Sequence, residues 1–100
     1  MILNGKAKED FKKWYIETYD LYDSYDNELK LMSDTCLNAL IIDFFDSVEI
    51  HICVTLLFPI YIYGWSYSID LGYCYEYFKT RQEATEQAIK KANDLYNSRL

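Results

Sequence analysis

Residues 50–69 carry no Asp, Glu, Lys or Arg, and an uncharged run of that length belongs either across a bilayer or inside a core. Its internal grain favours the core. Pro59 interrupts it, Gly64, Ser66 and Ser68 dilute it, and Glu49 and Asp70 flank it where a membrane anchor would place cations. Its side chains also alternate at period two. Ile50, Ile52, Val54 and Leu56 point one way, with His51, Cys53, Thr55 and Leu57 the other, which predicts a strand that Pro59 breaks. Tyr61, Tyr63, Trp65, Tyr67 and Ile69 then alternate with Ile60, Ile62, Gly64, Ser66 and Ser68. Asp70, Leu71 and Gly72 turn the chain, and Tyr73, Tyr75 and Tyr77 resume the alternation. Two further strands joined by a tight hairpin follow from this pattern.

Helical periodicity brackets the strands. Asn4 is placed to cap a helix running to about Tyr19, in which Ala7, Phe11, Trp14, Tyr15 and Thr18 recur at steps of three and four. A Tyr-Asp pair then repeats three times, at Tyr19/Asp20, Tyr22/Asp23 and Tyr25/Asp26. Period three drifts around an α-helix and makes no single face, so this segment is expected to fray into a loop. Ser33 caps a helix over 34–47, with Met32 and Leu37 as a staple and Leu37, Leu40, Ile41, Phe44 and Val48 in helical spacing. A strand through 39–45 is the rival reading, because periodicity decides poorly over so short an apolar run. Thr80, Arg81, Gln82 and Glu83 form a capping box before Ala84, Ala88, Ile89, Ala92, Leu95 and Tyr96. The expectation is one α+β domain over residues 1–100 in the order α-α-β-β-β-α: a small three-stranded antiparallel sheet with helices packed on one face. The opposite face would show His51, Cys53, Thr55, Ser66, Ser68, Asp70, Cys74 and Glu76 to water or to a partner.

Chemistry finds little purchase in these residues. His51 is the only imidazole, and its same-face neighbour is Cys53, so a nucleophile and base pair could exist only there. No closely paired Cys or His ligands suit zinc, and Asp20, Asp23 and Asp26 lack the alternation and glycine of a calcium loop. The glycines are isolated, with no phosphate-cradling pattern. No catalytic residue, metal or cofactor is assigned. Cys36, Cys53 and Cys74 form an odd set, and the first ten residues have no apolar signal core, so reduced thiols in the cytoplasm are expected.

Charge is the stronger signal. The net charge is −6, which disfavours direct nucleic-acid binding, and no Lys or Arg interleaves the aromatics between Glu49 and Phe78. The excess is local: residues 17–49 hold nine acids against Lys30, whereas 1–16 and 79–100 are each net positive. Such a concentration speeds encounter with a basic surface. Tyrosines interleave with it, and tyrosine supplies contact area at low entropic cost. Tyr19, Asp20, Tyr22, Asp23, Tyr25, Asp26 and Glu28 are therefore the candidate partner-binding residues.

Asn4-Gly5-Lys6-Ala7 leading to Asp10, Phe11 and Trp14, the run Asp43-Phe44-Phe45-Asp46-Ser47-Val48, and Thr80-Arg81-Gln82-Glu83-Ala84 followed by Ala88, Ile89, Lys91 and Ala92 resemble small uncharacterised proteins encoded by bacteriophages and prophages. That resemblance carries no catalytic residues. It implies a context in which small acidic proteins bind and block host proteins, nucleic-acid-handling defence machinery among them. The expected function is thus a non-enzymatic phage-type accessory protein in the host cytoplasm. It would occupy a basic surface of a host protein, as an anti-CRISPR or other anti-defence inhibitor does, with no membrane and no direct nucleic-acid contact. A small-molecule module or minor enzyme built on His51, Cys53 and Glu76 is one alternative, and a virion accessory protein another. Sheet edges with little protective charge leave pairing into a homodimer open.

Overall fold

A computed structural model describes residues 1–20, 24–57, 64–70, 72–73 and 76–99. The architecture is α+β. Helices α1 (Gly5–Tyr19), α2 (Tyr25–Leu31) and α3 (Asp34–Ser47) precede strands β1 (Ile52–Leu57) and β2 (Gly64–Ile69), and α4 (Arg81–Ser98) follows. The strands run antiparallel, with Ile52 opposite Ile69, Val54 opposite Tyr67 and Leu56 opposite Trp65. Of the expected third strand, Gly72 and Tyr73 pair with Ile69 and Ser68, and Phe78 exchanges backbone hydrogen bonds with Trp65. Residues 74–75, which hold the middle of that strand, fall outside the described residues, as does the predicted break at Pro59.

The order differs from the expected one by a helix. α2 begins inside the Tyr-Asp repeat, which does not act as one unit. Asp20 closes α1 in the left-handed region, with φ 57°, its N–H donating to the Ile16 carbonyl. Tyr25 opens the next helix, five residues on. Tertiary burial makes the difference: Tyr25 is 8% exposed, its ring meeting Tyr15 at 5.9 Å, and Leu29, one turn later, packs against the same core. Asp26 and Glu28 in the first turn and Lys30 in the last also complement the helix dipole.

The helical stripes face one another. Ala7, Phe11 and Tyr15 of α1, Ile41, Phe44 and Phe45 of α3, and Ile89 and Ala92 of α4 are buried together. Residues 39–45 are helix, not strand, since Ile41, Phe44 and Phe45 are buried at helical spacing while Ala39 and Asp43 are exposed. Phe44 is the hub, with edge contacts to Phe11 and Tyr96 at ring-centroid distances of 5.8 Å each. Full burial of one such side chain stabilises the fold by about 3 kcal/mol. Ser33 Oγ accepts from the Cys36 N–H and Thr80 Oγ1 from the Glu83 N–H, so both predicted caps operate. Asn4, the third, makes no side-chain cap. Its Oδ1 accepts from Asn93 Nδ2 and Asn97 Nδ2 instead, while Asn93 and Asn97 accept from the backbone N–H groups of Asn4 and Ala7. This clasp ties the start of the chain to the last two turns of α4.

Directly opposed residues share a sheet face, so Ile52, Val54 and Leu56 lie with Ile69, Tyr67 and Trp65. Ile52, Tyr67 and Ile69 belong to the helix-covered core. On the other face Cys53 and Thr55 are exposed, but Ser66 and Ser68 are buried, against the expectation that they meet water. Ser68 is opposed by Cys53 on one side and Tyr73 on the other, and Ser66 by Thr55. Tyr77, expected beneath the helices, is exposed. No helix among the described residues is long and apolar enough to cross a membrane.

Candidate functional site

The acidic segment is spread over the end of α1, all of α2, and α3 with the turn after it. Every described acid in it is exposed: Glu17, Asp20, Asp26, Glu28, Asp34, Asp43, Asp46 and Glu49. Among the described residues only Asp46 of this set has an ion-pair partner, His51 at 3.0 Å. The other carboxylates therefore project unneutralised charge. Tyr19 adds an aromatic handle, 48% exposed and held by ring contacts to Tyr15 at 5.1 Å and Trp14 at 6.3 Å.

Tyr25 departs from this pattern. Its buried ring faces inward under Lys12, whose Nζ lies 5.2 Å from the ring centre, and burial, with smaller contributions from Asp26 and Tyr15, pushes its phenol pKa up. It supports the acidic surface from beneath and offers no contact area. Tyr22 and Asp23 lie outside the described residues. Of the proposed partner-binding set, Tyr19, Asp20, Asp26 and Glu28 thus face solvent. Leu31, which the charge reasoning passed over, ends α2 at 87% exposure.

His51 and Cys53 do share a hollow of about 390 Å³ at the sheet end, lined also by Ile52, Ser68 and Asp70. Each has a hydrogen-bond partner of its own. The imidazole Nδ1 pairs with Asp46 Oδ1 at 3.0 Å, and the Cys53 thiol lies 3.6 Å from the Thr55 hydroxyl. The hydrogen bond to Asp46, with the fields of Asp46, Asp70 and Glu49, raises the His51 pKa. The backbone secures this corner: His51 N–H donates to Asp70 Oδ1, and Asp70 N–H to the His51 carbonyl, both at 2.9 Å. Glu76 is exposed and does not line the hollow. No group of three His, Cys, Asp or Glu among the described residues is placed to hold a metal ion.

A third feature gave no sequence signal. Between α3 and the first turns of α4 runs a mainly apolar groove of about 320 Å³, with Asn38, Ala39 and Ile42 on one side and Arg81 and Thr85 on the other. Asn38 lines this groove and is 6% exposed; among the described residues its carboxamide has no hydrogen-bond partner, and no buried polar atom of those residues is sealed away without one. Its polar atoms therefore open into the groove. The Arg81 guanidinium at the rim lies over the Trp65 ring, 4.6 Å from its centre. This brings a cation to the sheet aromatics from a distant part of the chain. Neither a protein family, nor a curated protein, nor a solved structure matches this chain.

Proposed function

We propose that this protein is a non-enzymatic binding protein that engages a basic surface of another protein through the end of α1 and α2. Tyr19, Asp20, Asp26 and Glu28 form the centre of contact. The observation that carries this reading is the run of exposed carboxylates over 17–49, of which, among the described residues, Asp46 alone has an ion-pair partner. Unpaired surface charge of one sign steers encounter with the opposite sign. Tyr19 and Leu31 add apolar area next to it. In the phage-type context the partner is a host protein, and occupying a nucleic-acid-binding surface would block its work in the manner of an anti-defence or anti-CRISPR inhibitor. Pairing of Gly72 and Tyr73 on β2, and the bridge at Phe78, support a third strand completing the sheet.

The reading is tested by capture of partners from host lysate at low salt, comparing the natural chain with the triple variant Asp20→Asn, Asp26→Asn, Glu28→Gln. A basic protein retained by the first, lost by the second and released by added salt supports the proposal. Equal retention by both overturns it.

The sheet-end alternative draws on the hollow shared by His51 and Cys53. Its imidazole is held by Asp46 and stands among the carboxylates of Asp46, Asp70 and Glu49.

A further inference from the structure

We infer that the groove between α3 and α4 receives the C-terminal residue of a peptide chain, its carboxylate at Arg81 and its last peptide group on Asn38. The argument starts from Asn38. Asn38 is 6% exposed, and since no polar atom among the described residues is buried without a partner, its carboxamide keeps solvent contact and its hydrogen-bonding groups are available to a ligand. The polar atoms face a groove large enough for a small ligand. A carboxamide presents one acceptor and two donors side by side, the complement of a peptide group, which also offers one of each.

The walls narrow the choice further. Ala39 and Ile42 line the groove beside Asn38, one position and one helical turn on, and give an apolar floor for a side chain. Across from them, Arg81, the first residue of α4, lines the groove and supplies its cation. The stack on Trp65 restrains that guanidinium, and a restrained fork is suited to gripping a carboxylate with two hydrogen bonds. Thr85 lines the same wall, although its hydroxyl already donates to the Arg81 carbonyl at 2.8 Å. A cationic end, an amide-pairing floor and an apolar strip fit a carboxylate, a peptide group and an apolar side chain in that order. This chemistry is distinct from that of the acidic surface, and it holds whether or not that surface binds a partner.

The test is a titration of the isotope-labelled protein, followed by NMR, with three probes: acetyl-Gly-Gly-Leu with a free carboxylate, the same peptide as its C-terminal amide, and sodium acetate. The expected result is saturable shifts at the Asn38 side-chain amide and at the Arg81 and Gln82 backbone amides with the free acid. Binding should weaken about tenfold for the amide, a difference of about 1.4 kcal/mol, and acetate should not saturate these signals. Arg81→Gln, at an exposed position, should weaken the free acid about tenfold. Asn38→Leu should abolish binding while leaving the melting temperature equal or higher, the reverse of what a purely structural asparagine would do. Absence of saturable shifts, equal binding of acid and amide, or unchanged binding by Arg81→Gln would each overturn the proposal.

Discussion

The hydroxyl of Tyr96 donates to the Asp10 carboxylate, which also pairs with Lys6 at 3.1 Å, and so joins α4 to α1. Burial first, and then this hydrogen bond, push the Tyr96 pKa up to about 12, while Tyr96 chiefly holds the Asp10 carboxyl below its usual value. Burial also raises Tyr15 and Tyr25. In the unfolded chain tyrosines ionise near pH 10, so above that pH the unfolded state binds fewer protons than the folded one and stability falls. The contribution is fully present below about pH 10 and disappears as pH climbs towards 12. Denaturant unfolding from pH 8 to 12 should show this decline, and Tyr96→Phe should flatten part of it. That variant should also lose about 1 kcal/mol at neutral pH. The asparagine clasp sets a second local demand. Gly5 sits at φ 58°, and a Cβ there would come within 3.2 Å of Asn97 Nδ2. Gly5→Ala should therefore cost about 1–2 kcal/mol, seen as a fall of about 4–8 °C per kcal/mol in melting temperature.

α2 is the element most dependent on what lies beneath it. Seven residues are too few to be helical alone, and Tyr25 is its only buried side chain. Tyr25→Ala should destabilise the protein by about 3 kcal/mol, and hydrogen exchange should show α2 amides losing protection before those of α4. The same dependence explains why α2 was not legible in the sequence. Its helicity comes from Tyr25 lodging against Tyr15, a contact between helices, while the local text reads as a period-three repeat. α1, α3 and α4 were legible because each states its stripe over many turns, and Ser33 and Thr80 mark two starts by a chemistry that needs no tertiary partner. The facing of Ile52, Val54 and Leu56 with Trp65, Tyr67 and Ile69 was likewise written in their alternation. Asn4 misled in an instructive way: its capping side chain is claimed by Asn93 and Asn97, nearly the whole chain away. Asn38 was silent, since an isolated asparagine on a helix announces neither its burial nor the groove it lines.

Across the whole molecule, exposed carboxylates repel one another with few cations to relieve them, and the net charge is −6. Screening falls within about 10 Å at 0.1 M salt, so added salt should raise the melting temperature of the free protein. The variant Asp20→Asn, Asp26→Asn, Glu28→Gln removes repulsion but also removes first-turn acids of α2, worth about 0.3–1 kcal/mol each at most. These effects oppose each other, so its melting temperature should stay close to that of the natural chain, with a shallower response to salt. A complex held by the same carboxylates must respond in the opposite sense, because screening weakens attraction between partners just as it eases repulsion within one. Salt should therefore stabilise the protein alone and loosen its complex, and the triple variant should blunt both responses together. Thermal melts and binding titrations over one salt series measure the two slopes. If the free protein gained stability with salt while its complex was indifferent to it, those anions would serve solubility only, and recognition would have to come from the apolar groove or the sheet.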